Sequence, residues 1–369
     1  MKSQYKKAIS IGLAVLMGMS TMICGCSTAD KKSDKIHLSV SGIGGSTQYL
    51  PVYVAEKKGW FEEAGLEIEH VMFTNGPVQM ESLSSDSWDL GLTGIGGVLS
   101  GVIRYDGIIV GASSTDDGAQ YVFARKDSPI VKAGEGNNSL NENIYGNADA
   151  WKGTKVLCST GTILQYTLVK TLSGFGLSED DVNFVAMDAP TIYSSFLAGE
   201  GDACVLAGAS GAFNMLNLSD EYVPVSNGSW AQAGLITNFV ANKNSYVDEN
   251  KYEGMKRFME VYFRATDWVT QNNDEAGQYM LDFCEENGVK SDLETCKKLL
   301  KADKYYTIDE AYAMITEKAE GQDYTVMEQS LLDVLQFFID AGNYKDEDKV
   351  TFMNHTDSKL LTDVYNSKK

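Results

Sequence analysis

Proline and histidine are scarce in this chain of 369 residues, which holds five prolines and three histidines. So little proline, against 35 glycines, excludes a proline-rich or collagen-like chain. The histidines, His37, His70 and His355, stand apart in sequence, and the cysteines beyond residue 26 lack the close pairs of a zinc site. No metal and no cofactor are expected. Basic residues are short as well, 31 against 51 acids, for a formal net charge of −20. A body of that sign repels phosphate backbones and no basic stripe offsets it, so nucleic-acid partners are excluded. A long apolar run is missing too. The best stretch, residues 9–23, is broken by Gly12, Gly18 and Ser20 and falls short of the roughly 20 residues that span a bilayer. What remains, 43% apolar and 22% charged residues, is ordinary globular composition.

The first 25 residues read as a secretory signal. Lys2, Lys6 and Lys7 make its charged start, and the broken apolar stretch follows. It ends at Ile23-Cys24-Gly25-Cys26-Ser27, which resembles the bacterial lipobox, with Gly25 at the small position and Cys26 as the lipidated residue. Residues 26–35 then form a polar tether, so the protein is expected to be extracytoplasmic and anchored to the outer face of the cell membrane by its lipid. Losing the leader takes the formal charge from −20 to −23. About 344 residues remain, which suits two domains better than one. Of the later cysteines, Cys158 and Cys204 read as buried thiols at strand ends. For Cys284 and Cys296, a bridge in an oxidising compartment and two free thiols both stay open.

Beyond the tether, short apolar runs alternate with amphipathic stretches, the pattern of an α/β protein with parallel sheets. Strands are predicted over 36–40, 66–73, 88–92 and 107–112, with helices over 50–64, 76–83 and up to about 104. The pattern restarts after Asp127-Ser128-Pro129. Residues 134–149 are polar enough to read as a surface excursion. Strands follow over 155–158, 182–187 and 203–207, and helices over 163–172 and 191–197. From about 252 onward, apolar spacings of three and four predict helices over 255–270, 275–286, 291–300, 308–318 and 327–341.

Four segments together resemble substrate-binding proteins of nitrate, sulfonate and taurine importers of the ATP-binding-cassette (ABC) class, a family with a branch for pyrimidine precursors of thiamine. Residues 50–66 (Leu-Pro-Val-Tyr-Val-Ala-Glu-Lys-Lys-Gly-Trp-Phe-Glu-Glu-Ala-Gly-Leu) are similar to the family's opening helix. Residues 88–94 resemble its strand ending in threonine-glycine, 151–156 its entry to the second lobe with Trp151 in place of leucine, and 197–203 its glycine-x-x-aspartate-alanine signature. The resemblance covers about 36–288 and implies the type II periplasmic-binding-protein fold, two α/β lobes joined by a two-strand hinge. Lobe one is expected over 36–126 and 231–369, including a helical tail of open role, and lobe two over 127–230. The crossings are expected over 121–128 and 234–241. The implied function is capture of a small organic anion or zwitterion, sulfonate or taurine-like, for delivery to a permease and its ATPase subunit. A monomer is expected. A thiamine pyrimidine precursor or another amine or aromatic solute is the alternative, as is a surface sensor that has kept the fold without transport.

Ligands of parallel α/β sheets collect at the carboxyl ends of strands, beside helix N-termini whose free N–H groups hold anions. Three turns fit: Ser46, Thr47 and Gln48; Thr93 and Gly94; Thr160, Gly161 and Thr162. Helix capping is an equally good account of Ser46, Thr93 or Thr162 taken singly. Only four arginines exist, Arg104, Arg125, Arg257 and Arg264, none of them in these turns, which argues against an arginine clamp on a carboxylate. Asp116, with its neighbour Asp117, and Asp188 are the candidate partners for an amine. Gln48, Tyr49, Gln165, Tyr166, Tyr193 and Trp230 would line an aromatic site. Enzyme chemistry lacks a motif: the 42–47 turn has no P-loop lysine, 94–97 does not complete a dinucleotide fingerprint, and there is no Gly-x-Ser-x-Gly elbow with a histidine partner.

Overall fold

The computed structural model of the chain describes residues 35–368. The expected signal segment, Cys26 and the expected tether before Lys35 lie outside the described residues. The first lobe opens with β1 (Ile36–Ile43), α1 (Leu50–Lys57), α2 (Trp60–Glu63), β2 (Leu66–Phe73), α3 (Gly76–Glu81), β3 (Leu90–Gly94), α4 (Ile95–Tyr105) and β4 (Ile108–Thr115). The helix expected over 50–64 is therefore two. Gly59 takes a left-handed φ of 73°, a conformation without penalty only for glycine, and the helical path turns there. Trp88, expected in the strand, precedes it. Its buried ring is held by an Nε1 hydrogen bond of 2.8 Å to the Ser82 hydroxyl.

The second lobe holds β5 (Gln120–Arg125), the short α5 (Pro129–Lys132) and α6 (Ala148–Trp151), β6 (Lys155–Cys158), α7 (Ile163–Ser173), β7 (Asn183–Ala186), α8 (Ala189–Leu197), β8 (Ala203–Ala207), α9 (Asn214–Leu216) and β9 (Tyr222–Asn227). The 134–149 segment is not a loose surface excursion. Ile144 and Asn138 are buried, and the Asn138 amide donates to the Thr171 carbonyl at 3.0 Å, closing the end of α7. The chain returns as β10 (Ile236–Ala241), α10 (Lys243–Val247), α11 (Glu249–Gln271), α12 (Asn273–Glu286) and the tail helices α13 (Leu293–Ala302), α14 (Ile308–Thr316), α15 (Val326–Asp340), α16 (Asp348–Met353) and α17 (Lys359–Ser367).

Two five-stranded sheets result, ordered β2-β1-β3-β10-β4 and β7-β6-β8-β5-β9. Within each, four strands share one direction, and the strand that enters from the other lobe, β10 or β5, runs antiparallel to both neighbours. The crossings accordingly span residues 116–119 and 228–235. Both come earlier than the expected 121–128 and 234–241, because β5 is already hydrogen-bonded between β8 and β9 from Gln120 onward and β10 lies between β3 and β4 over 236–241. Alternation along β5 fills two cores. Phe123 faces the large one, whereas Val122 and Ala124 face a smaller one with Trp151, Leu164 and Leu168.

The tail covers the edge of the first sheet. Strand β4 is its last strand, and an open edge invites unwanted pairing. Tail residues close both ends of it: Tyr306 N–H donates to Ser113 O at 3.1 Å, and Ile109 N–H to His355 O at 2.8 Å. Local signals start these helices, with capping boxes at Thr307 and Glu310 for α14 and at Thr325 and Glu328 for α15. The tail also reaches the second lobe, where Phe337 of α15 packs on Tyr166 of α7 with centroids 5.1 Å apart.

Candidate functional site

The first turns of α4 and α7, one from each lobe, approach each other beside the first crossing. A Cβ at Gly94, the N-cap of α4, would lie 2.8 Å from the Asp116 carboxylate and 4.0 Å from the Ile163 side chain that opens α7. Asp116 thus stands between the lobes. Its backbone N–H donates to Leu235 O at 2.9 Å, which ties one crossing to the other. Gly228 on the return crossing passes so close that a Cβ there would sit 2.5 Å from the Asp117 carbonyl.

The tail delivers a third carboxyl. Asp303 follows α13, is buried, and accepts from Gly118 N–H at 3.1 Å and from the Thr47 hydroxyl at 3.4 Å. The fit is tight, since a Cβ on Gly118 would fall 1.8 Å from the Ala302 carbonyl. Tyr305 continues the segment and donates its hydroxyl to Thr47 O at 2.7 Å. Thr47, Gly94, Asp116, Asp117 and Asp303 therefore meet at the crossing, drawn from three parts of the chain.

These acids are costly in their charged form. Burial, with the neighbouring charge of Asp117, pushes Asp116 up to about 7, against a smaller opposing pull from Gln120. Burial likewise raises Asp117, offset in part by backbone N–H groups and the Ser229 hydroxyl. Asp303 is raised well above the carboxylate range by burial, and then by Asp116 and Asp117. Tyr121, Tyr305 and Tyr306 have phenols raised first by burial and, further down, by Asp303 or Asp117. Among the described residues the groups bonded to the three carboxyls are neutral: Thr47, Gly118, Gln120 and Ser229. The arginines are engaged elsewhere. Arg125 holds the Phe196 carbonyl at 2.7 Å, Arg257 and Arg264 pair with Glu253 and Glu63, and Arg104 lies over the Tyr344 ring. Partly or fully desolvated carboxyls without a cationic partner, beside aromatic rings, make a place for a cation.

The other expected residues have local duties. The Ser46 hydroxyl donates to Ile43 O at 2.8 Å and closes its own turn. Gln48 is buried; its carbonyl accepts from the Tyr262 hydroxyl at 3.0 Å, and its side-chain Oε1 has no partner. Thr93 is fully buried with its hydroxyl unpaired, wedged so that a Cβ on Gly97 would meet it at 2.1 Å and one on Gly76 at 2.8 Å. It packs α3 against α4. In the 160–162 turn the Gly161 N–H is taken by Gln165 Oε1 at 2.7 Å, and Thr162 caps α7 by accepting from Leu164 N–H at 3.3 Å. Thr160 is exposed, and so is Asp188, the N-cap of α8, which makes no side-chain cap bond. Tyr49 is stacked in the core on Phe283 at 5.8 Å. Asp303 and Tyr305 escaped the sequence reading, because the acid that pairs with Thr47 lies 256 residues away and sits between two lysines.

Among the described residues no cluster of histidine, cysteine or carboxylate side chains is arranged to hold a metal, and no helix is long and apolar enough to cross a membrane. Two surface grooves, of 420 and 290 Å³, are lined by residues other than the three acids; the larger runs between α7 and α15.

The family model described as NMT1/THI5 like matches residues 46–136, the stretch that contains Thr47, Gly94, Asp116 and Asp117. A Brachyspira hyodysenteriae protein named as an ABC transporter periplasmic binding protein is 25% identical over 68% of this chain and 70% of its own. A Bacillus subtilis protein named as binding aliphatic sulfonates is 26% identical over 73% of this chain and 77% of its own. The crystal structure of the Escherichia coli periplasmic aliphatic sulphonate binding protein superposes with a TM-score of 0.67 at 15% identity, covering 88% of this chain and 99% of that one. The family likeness read from residues 50–66 and 88–94 is borne out, and the fold is the type II periplasmic-binding-protein fold.

Proposed function

We propose that the chain is the extracytoplasmic receptor of an ABC importer, anchored through Cys26, and that its two lobes close on a small solute bearing an amino or other cationic group. The observation that carries this reading is a set of three carboxyls, Asp303 buried and Asp116 and Asp117 half-buried, held where α4 and α7 converge and bonded to neutral groups. A cationic group there lets all three ionise and repays their burial. The ligand then favours the closed state by the difference in its contacts with the two arrangements. Thr47 and Asp303 belong to the first lobe and its tail, and Ile163 to the second, so a ligand between them bridges the hinge. The receptor's handover partner is a permease with its ATPase subunit.

A zwitterion such as taurine fits this arrangement. Its ammonium would meet the carboxyls, and its anionic end would meet backbone N–H groups of the α4 first turn, with the helix dipole behind them. A simple anion fits less well, since it would enter beside three acids. Calorimetric titration with taurine, aminopyrimidines, alkyl amines, alkane sulfonates and nitrate tests the proposal. Saturable binding of an amine-bearing member, weakened about a hundredfold in Asp116→Asn, is expected. Tight binding of a plain alkane sulfonate that persists or improves in Asp116→Asn would sink it.

A further inference from the structure

Cys284 and Cys296 stand in a geometry that the transport reading does not use. Cys284 lies in the last turn of α12 and Cys296 in the first turn of α13, and six residues, 287–292, connect the helices. The helices pack closely: a Cβ on Gly277 of α12 would sit 2.6 Å from the Lys297 side chain of α13. Both cysteines are fully buried free thiols, and each is the leading influence on the other's ionisation, raising Cys284 and lowering Cys296. The Cys296 thiol also reaches the Ser291 hydroxyl at 3.4 Å. The other two described cysteines offer no such pairing. Cys158 and Cys204 are on neighbouring strands, yet Cys204 packs in the large core and Cys158 in the small one, on opposite faces of the sheet.

We propose that Cys284 and Cys296 close into an intramolecular disulfide in the exported protein, a staple between α12 and α13 that fixes the segment carrying Asp303. The oxidant is a disulfide, of an exported thiol oxidase or of a small molecule. The Cys296 thiolate attacks one of its sulfurs and expels the other as a thiolate. The Cys284 thiolate then attacks Cys296 in the mixed disulfide and expels the second. Two electrons pass from the cysteine pair to the oxidant, and the two protons end on its thiols. Because both sulfurs are buried once the helices have docked, the exchange belongs to folding after export. The consequence for the cleft follows from what α13 touches. It bonds the second lobe through the Asn217 amide and the Thr295 hydroxyl at 3.3 Å, and it leads directly into Asp303 on Gly118 and Thr47.

The existence of the staple rests on the extracytoplasmic reading but needs no ligand. Its test is the full chain extracted from the cell envelope in detergent, denatured with an alkylating agent present and no reductant. Expected are alkylated Cys158 and Cys204, with Cys284 and Cys296 recovered as one linked peptide pair that a reductant separates. Alkylation at all four positions overturns the proposal. A parallel refolding in oxidised and reduced glutathione identifies the failed premise: linkage there points to the compartment, and none points to the geometry. Cys284→Ala with Cys296→Ala, which keeps both helices free of an odd thiol, is expected to lower the melting temperature by several degrees relative to the oxidised protein and to match the reduced one. A double variant that melts with the oxidised protein counts equally against the staple.

Discussion

The substitution Asp116→Asn separates binding from stability more sharply than any other in this chain. The folded-state pKa of Asp116, about 7, lies above its ordinary 3.8. Between those values the folded protein holds a proton that the unfolded chain has released. Stability therefore falls as pH rises through that window, the reverse of a salt-bridged aspartate. A shift of this size amounts to a cost of about 4 kcal/mol well above pH 7, of which roughly 2.5 kcal/mol accrues between pH 5 and pH 8. Partial exposure of the residue and its interaction with Asp117 bring the expected difference down to about 2 kcal/mol. Asparagine keeps the shape and removes the charge. Without ligand, Asp116→Asn should exceed the wild type at pH 8 by about 2 kcal/mol more than it does at pH 5, a melting difference of roughly 4 °C. Denaturant unfolding of both proteins at the two pH values measures this. Comparison at matched pH cancels the carboxylates held low by hydrogen bonds, such as Asp106 and Glu286, whose contribution runs the other way. Equal stability differences at pH 5 and pH 8, or a variant less stable at pH 8, would refute the account of Asp116 as an acid strained by partial desolvation.

Other perturbations follow from the same geometry. Binding of a permanently charged quaternary amine should strengthen several-fold from pH 5 to pH 8 as the cluster ionises, whereas a flat profile in titration calorimetry would detach the acids from the ligand. Thr93→Val removes a buried hydroxyl without a partner, so binding should be unchanged and stability equal or raised by up to about 1 kcal/mol; loss of binding would return Thr93 to the site. Gly118→Ala forces a Cβ against the Ala302 carbonyl, at 1.8 Å before relaxation, and should cost about 1–3 kcal/mol by displacing the Asp303 segment, with weaker binding beside it. Phe337→Ala removes the ring that packs on Tyr166 and should speed ligand release with little effect on the first lobe, read by stopped-flow dissociation.

What was legible in the sequence tracks the range of the interaction that sets it. Apolar periodicity is local and places most strands and helices to within a few residues, whereas the left-handed Gly59 that divides the helix expected over 50–64 leaves no mark on that periodicity. The earlier of the two crossings was misjudged because Gln120-Tyr-Val-Phe-Ala-Arg125 reads as extended in either lobe. Only pairing with β8 and β9 decides which sheet owns it. Thr93 looked like a ligand for the same reason: a hydroxyl at a strand end suggests a cleft, while the strand's alternation turns it toward Gly76 and Gly97. Gly94, one residue later, is the position that meets Asp116.

The sign of the site was the hardest property to read, and it depends on the tail. Asp116 and Asp117 alone look like solvated turn residues, and three strand-end turns with hydroxyls suggest an anion. Asp303 changes the balance, because a third carboxyl, this one buried and set by Gly118 N–H and Thr47, raises the cost of any further negative charge. The segment 302–306 reaches that place by docking on β4, whose open edge needs a partner whatever the ligand is. One set of backbone bonds thus protects the sheet edge and delivers the acid. A chain ending after α12 would lose both, so its first sheet should pair with other copies.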